Sequence, residues 1–211
     1  MPPAFDAHFC DLLRTLLAWR RDVRRFRPDP LPAGTVDRLI EVAALAPSVG
    51  LSQPWRFVLV EDALRRAAMR ADFVAANAAA LAAEAPERRA RYAKLKLAGL
   101  DEAPCQLAVF ADHDTRQGHR LGRRTMPETL DYSAVAAVHT LWLAARAEGI
   151  GMGWVSIFDP RNLGEILDVP AAWKPIGYFC LGYPAQEEEV PMLETAGWER
   201  RRPPASFLIR R

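Results

Sequence analysis

Arg20-Arg21-Asp22-Val23-Arg24-Arg25-Phe26-Arg27-Pro28 puts five arginines into eight positions, with one acid among them. Guanidinium groups this close repel one another, and Asp22 offsets one at most. Arginine forks match phosphate oxygens through paired hydrogen bonds. The stretch therefore reads as a pocket for a phosphate-bearing ligand, with Asp22 beside the ligand's reactive part. The alternative is a solvated basic helix end, since cations are favourable near a helix C-terminus and charge runs usually face water. Ahead of the cluster, Phe9, Leu12, Leu13, Leu16 and Leu17 recur at helical spacing. The spacing predicts a first helix that ends near Val23, because Pro28 disfavours helix at Arg27.

The basic charge is local. Over 211 residues the net charge is only +2, which argues against a nucleic-acid binder with an extended basic face. Half the residues are apolar and 26% are charged, a globular composition long enough for one domain spanning 1–211. Cys10, Cys105 and Cys180 are scattered, with no CxxC pair. They read as small buried residues in a reducing compartment rather than disulfides or zinc ligands. The opening Met1-Pro2-Pro3-Ala4-Phe5-Asp6 does not read as a signal peptide. No uncharged apolar run approaches the roughly 20 residues a membrane span needs. The expected location is the cytoplasm, with neither membrane nor nucleic acid as partner.

Downstream of the cluster, Thr35 is the predicted N-cap of a second helix that turns Val36, Leu39, Ile40 and Ala43 inward. Ala46-Pro47-Ser48-Val49-Gly50-Leu51-Ser52-Gln53-Pro54-Trp55 is turn material carrying two hydroxyls and an amide, a binding loop ahead of the strand Arg56–Val60. The alternative for this loop is an ordinary helix–strand connection. Ala63 to Ala83 and Glu87 to Leu100 read as helices, the second with a solvated basic face, and Cys105 to Phe110 as a buried strand. Asp112 to Thr129 is polar, without an apolar period, and reads as a lid. His113 and His119 within it lack ligand company, so no metal site is assigned. Tyr132 to Glu148 is helical and apolar on nearly every face, which predicts a helix buried all round, either central or at a dimer interface, with His139 as a hydrogen-bonded core residue. Gly149-Ile150-Gly151-Met152-Gly153-Trp154 has glycine at every second position. It follows a helix and opens the strand Trp154–Phe158, so it is not a dinucleotide fingerprint. Asp159-Pro160 caps a helix that runs to about Leu167, and Pro175 to Pro184 is the last strand. The succession predicts an α+β fold: a small mixed or antiparallel central sheet surrounded by helices, with a lid at about 112–129.

Four motifs stand in order over almost the whole length: Arg-Arg-Asp-Val-Arg-Arg-Phe, Ala-Pro-Ser-Val-Gly-Leu-Ser-Gln-Pro-Trp-Arg-Phe, Gly-Met-Gly-Trp-Val-Ser and Leu-Gly-Tyr-Pro. Together they resemble the FMN-dependent nitroreductase-like family. That family usually has serine where Asp22 stands and asparagine in the region of Leu51-Ser52. These departures, with the strand end Trp154–Pro160 and the lid, resemble the branch of the family that consumes its flavin. The resemblance implies a homodimer with FMN at the subunit interface. It implies that reduced FMN, supplied by a separate reductase, is fragmented with dioxygen to 5,6-dimethylbenzimidazole, the lower ligand of vitamin B12, and erythrose 4-phosphate. The rival within the same fold is an NAD(P)H-dependent nitroreductase or flavin reductase, and the rival from another class is a storage protein that binds FMN without chemistry.

By the same resemblance, Arg20, Arg21, Asp22, Val23 and Arg24 contact the flavin phosphate and ring edge, with Arg201 as a further phosphate ligand. Ser48, Ser52 and Gln53 lie against the flavin, and Leu97 packs on the isoalloxazine. Asp22 and Ser156 are the implied catalytic residues. A carboxylate near the ribityl chain or ring serves as a general base. A hydroxyl donor near the central ring stabilises developing negative charge. A serine at position 22 would not act as a base at neutral pH.

Overall fold

The computed structural model describes residues 3–211; Met1 and Pro2, where the stretch read as lacking signal-peptide character begins, lie outside them. Among the described residues there are four strands: β1 (Trp55–Leu59), β2 (Cys105–Asp112), β3 (Gly151–Val155) and β4 (Trp173–Gly182). They form one antiparallel sheet in the order β1-β2-β4-β3. The predicted strands are all present, shifted by up to three residues. The largest shift is β3, which ends at Val155 and leaves Ser156 outside the ladder.

The sheet is covered on both faces, and β2 shows why. Its residues are buried up to the last one, and because side chains alternate across a strand they feed two cores. Ala108 and Phe110 join Met69, Leu163, Tyr178 and Cys180 on one face. Leu107 and Val109 join Leu39, Val138, Leu141, Met152 and Phe179 on the other. The first core belongs to α3 (Ala63–Ala83) and α6 (Pro160–Leu167), and the second to α2 (Thr35–Ala43) and α5 (Thr129–Ala147). A short α4 (Pro86–Tyr92) follows α3, and α7 (Met192–Thr195) lies in the tail.

Five expectations need correction. The first helix, α1 (Ala7–Trp19), stops at Trp19 rather than near Val23. Arg20 is already extended, and the chain then runs along the sheet edge, where Val23 N–H donates to the Met152 carbonyl at 3.0 Å. The arginine cluster is therefore an edge strand-like segment and not a helix end. Helix 87–100 ends at Tyr92, because residues 98–100 dive into the core and Gly99 meets the Phe26 ring. Gly34, in a left-handed conformation, is the N-cap of α2, and Thr35 is its buried first residue.

The remaining two corrections concern α5 and the lid. In the single chain α5 is not buried all round: Tyr132 and Val135 are 58% and 39% exposed, and His139 faces outward instead of lying in the core. Of the predicted lid, Asp112 closes β2 and Thr129 opens α5; residues 113–128 between them are a run of turns around a short 3-10 segment at Gln117–Arg120. The outward faces of α1 and α5 carry uncovered apolar side chains. No α1 residue is buried, and Phe9, Leu12, Leu13 and Leu17 are all more than 40% exposed.

Candidate active site

The glycines at every second position explain how residues 20–26 are held. A Cβ on Gly153 would stand 2.1 Å from the Val23 carbonyl oxygen, and one on Gly151 would stand 2.8 Å from the Val23 side chain. Bare backbone on β3 lets the segment lie against it. Asp22 forms a parallel bridge with Met152, and Phe26 an antiparallel one with Pro184. Phe26 is 5% exposed and anchors the far end in the core.

That placement fixes the Asp22 carboxylate. Its Oδ1 accepts from the backbone N–H of Trp154 at 2.8 Å. Its Oδ2 accepts from Arg24 Nε at 3.0 Å and also from Arg24 Nη2. Arg24 is tied in turn to the Lys96 carbonyl through Nη1, at 3.1 Å. The Asp22 side chain keeps 31% of its surface exposed, enough for its free lone pairs to face a ligand.

The other arginines point elsewhere. The Arg20 guanidinium lies 4.6 Å above the Trp142 ring, whose indole N–H donates to the Arg21 carbonyl at 3.2 Å. Arg21 donates through Nε to the Glu189 carbonyl at 2.7 Å. Burial pulls the Arg20 pKa down; Asp22 offsets part of that, and the charge of Arg201 adds to it. Burial also lowers Arg21, with Arg201 and Arg20 reinforcing the effect. Arg201 thus reaches Arg20 and Arg21 from the opposite end of the chain. Arg20 and Arg21, each lowered by burial and by a neighbouring cation, are a site that an anion would relax. The cleft beside them is lined by Trp19, Trp142 and Met152 together with Asp22, Arg21 and Arg24.

Ser156 is exposed, two residues beyond the Trp154 amide that holds Asp22. The structure therefore brings Arg20, Arg21, Asp22, Val23, Arg24, Arg201 and Ser156 to one corner of the sheet. Leu97 sits in a neighbouring cleft with Phe73, Leu95 and Leu100, which shares Lys96 with the first.

Ser48, Ser52 and Gln53 are elsewhere. Their loop leads into β1, at the opposite edge of the sheet from β3. Trp55 pairs with Ala111, which pairs with Lys174, whereas Met152 pairs with Leu181. Seven positions along β4, at roughly 3.4 Å each, and three inter-strand gaps of about 4.8 Å separate the two groups by some 25 Å or more. Within one chain they occupy diagonal corners. The loop itself is tightly built. Ser48 Oγ accepts from Gln53 N–H at 3.1 Å, and Leu51 and Gln53 both adopt positive φ. Ser52 Oγ is buried and, among the described residues, has no hydrogen-bond partner. Gln117, from the predicted lid, donates to the Leu51 carbonyl at 2.8 Å and to Gln53 Oε1 at 3.0 Å.

Several contributors had no signature in the sequence. The Trp154 amide, the Lys96 and Glu189 carbonyls and the Val23 carbonyl act through backbone, which residue identity does not mark. Trp142 lay in an apolar helix where it read as core. Gln117 lay in a polar stretch without periodicity.

The donor set at the first corner fits a ligand with a dianionic tail and a planar body, as FMN has: three guanidiniums for the tail, an aromatic floor and a fixed carboxylate. Residues 17–183 match the model of the nitroreductase family, and the chain belongs to that family. Among relatives, it is similar to the 5,6-dimethylbenzimidazole synthase of Rhodospirillum rubrum, at 57% identity over 95% of each chain. A 5,6-dimethylbenzimidazole synthase of Rhodobacter capsulatus is 47% identical over 94% of this chain and 96% of its own. The fold also resembles an oxidized iodotyrosine deiodinase solved with FMN and 3-iodo-L-tyrosine. The TM-score there is 0.70, with 24% identity over 83% of this chain and 91% of that one.

Proposed function

We propose that this chain is a 5,6-dimethylbenzimidazole synthase that takes reduced FMN as substrate and, with dioxygen, fragments it to the benzimidazole and erythrose 4-phosphate, the pyrimidine part of the isoalloxazine leaving as a further fragment. The observation that carries the reading is the Asp22 carboxylate, pinned by Trp154 N–H and Arg24 within a cleft whose other cations suit a phosphate. The near-full-length identity to enzymes of that name supports it. Reduced flavin supplies the electrons that dioxygen accepts.

The chain's own residues then have separable tasks. Arg20, Arg21 and Arg201 hold the phosphate, and Trp142 keeps Arg20 flat against an aromatic face so that its charge stays aimed. Asp22 accepts a proton from the ribityl chain or ring through a lone pair that neither Trp154 nor Arg24 uses. Ser156 donates a hydrogen bond toward the central ring. A carboxylate held on both oxygens needs little reorganisation when it takes a proton, which is where positioned bases gain their rate.

A homodimer is part of the proposal. The Ser48–Gln53 loop and the Asp22 corner are too far apart in one chain to touch one FMN. A second copy can bring its loop to the first copy's corner, and the uncovered apolar faces of α1 and α5 supply a surface for it. Among the described residues no helix is long and apolar enough to cross a membrane. We assign the reaction to the cytoplasm, with a separate reductase delivering the reduced flavin.

The test mixes the protein with excess chemically reduced FMN, admits air and analyses the small molecules. Dimethylbenzimidazole is the expected product. Oxidised FMN alone, recovered in full, would favour the flavin-reductase or storage readings instead; consumption of NAD(P)H over many turnovers would select the reductase.

A further inference from the structure

We propose that the open cleft where β2 runs into residues 113–128 is a second anion site, built for a small molecule that carries linked phosphates. It measures about 810 Å³ and is lined by His113, Thr115, Arg116, Arg120, Arg123 and Arg124, room for a nucleotide-sized ligand. Four guanidiniums meet a single acid in its wall, Asp114. The other acids close by are engaged. Asp112 pairs with Arg56 at 2.6 Å, and Asp131 takes both Lys174 and His113 at 2.7 Å. Among the described residues none of the four arginines has a carboxylate partner.

Arg123 distinguishes this wall from a solvated basic fringe. Its Nη2 donates to the Thr115 carbonyl at 2.5 Å, and its Nη1 is buried and, among the described residues, without a partner. A half-buried cation with one neutral acceptor and no counter-charge is costly, and an anion in the cleft offsets that cost. Charge selects the class of ligand. Four arginines less one aspartate leave three positive charges, whereas a single phosphate group brings about two negative ones. A diphosphate closes the gap, and guanidinium forks suit its oxygens. The basic wall is concave and local, not the extended face that a nucleic acid needs. It is also remote from Asp22 within the chain. Asp112 pairs with Trp173, and Met152, which bridges Asp22, pairs with Leu181. Eight positions along β4 span about 27 Å.

The probe is inorganic pyrophosphate, titrated calorimetrically into protein saturated with oxidised FMN, so that the corner at Arg20, Arg21 and Arg201 is filled. One further site per chain is expected, with orthophosphate weaker by about tenfold or more. The pair Arg123→Gln and Arg124→Gln should weaken pyrophosphate by about tenfold or more, the size of lost charge-assisted contacts, and leave FMN affinity within about threefold. Arg116→Gln with Arg120→Gln, both at exposed positions, should do the same and covers the case in which Arg123 is needed for folding. Arg21→Gln, titrated without flavin, should keep the pyrophosphate site, so the outcome does not depend on FMN binding or on any product being formed. Absence of binding in the parent, or binding unchanged in both arginine pairs, would overturn the proposal. So would a loss of FMN affinity in both pairs with riboflavin affinity kept, because the cleft would then be holding the flavin's own phosphate from across a dimer.

Discussion

The carboxylate of Asp22 is bound to the backbone amide of Trp154, 132 residues further along the chain, at 2.8 Å. That contact exists because Gly153 has no side chain to separate the two segments. It sets a residue that the sequence places among arginines onto the rigid edge of a sheet. The functional reading turns on this placement.

Asp22→Asn keeps the shape and one accepting oxygen but removes the base. Reduced-FMN affinity is expected to stay within a few-fold while benzimidazole formation falls by roughly 100-fold or more, the usual range for a lost general base. Chromatography of a single-turnover mixture measures it; product at the parent rate would remove Asp22 from its role.

Ser156 is exposed and outside β3, so Ser156→Ala should leave the melting temperature unchanged. Product formation is expected to drop by about tenfold to a hundredfold, as for a lost oxyanion-type donor. A parent-like rate in Ser156→Ala would show that the serine merely ends a strand.

Gly153→Ala would force a Cβ to within 2.1 Å of the Val23 carbonyl oxygen, a backbone atom that cannot rotate away. The expected cost is about 2 kcal/mol or more, in the range for overpacked interiors. Flavin affinity should fall with it, because the arginine segment must lift off β3. Urea unfolding and an FMN titration on the same sample test both; an unaltered midpoint would contradict the packing described.

Substituting Leu13 and Leu17 by aspartate places charge on the uncovered face of α1, where both residues are more than 40% exposed. In a dimer that buries this face, sedimentation should show monomers, and FMN affinity should collapse because the Ser48–Gln53 loop no longer reaches the Asp22 corner. A variant that remains dimeric and binds flavin normally would move the interface elsewhere.

Burial pushes the Cys105 thiol up to about 11 and the Cys180 thiol to about 12. The thiolate is the reactive form, so neither should react with a disulfide reagent at pH 8 until the protein unfolds. The folded state holds these protons more tightly than the unfolded one. The stability they contribute is therefore full below about pH 9 and is lost as pH rises toward 12. Urea midpoints measured from pH 8 to 10.5 should fall; a flat profile would contradict the shifts.

Where local chemistry decides structure, the sequence was readable. The helix Ala63–Ala83 has the predicted ends, and Asp159 caps α6, accepting from Arg161 N–H at 2.9 Å. The strands were legible from their apolar runs, and the rejection of a dinucleotide motif follows from Gly153 serving close packing. What failed depended on distant partners. The helical spacing of residues 9–17 gave no sign that the chain would turn extended at Arg20, because the cause is a ladder contact with Met152. Helix 87–100 stops early because Gly99 must meet Phe26. His139 was read as core because its neighbours are apolar, yet its face of α5 is outward. Of the proposed site, the side chains gathered around Asp22 stand together in the sequence, whereas the backbone groups that hold Asp22 do not.

The diagonal separation of Ser48–Gln53 from Asp22 has a genetic corollary. If each reaction centre takes its carboxylate from one subunit and its loop from the other, two crippled alleles, one changed at Asp22 and one at Gln53, can rescue each other. In a mixed pair, one centre inherits both defects and the other inherits neither. Co-expression of two inactive proteins would then restore a measurable share of wild-type turnover, an outcome closed to any enzyme whose centre lies within a single subunit.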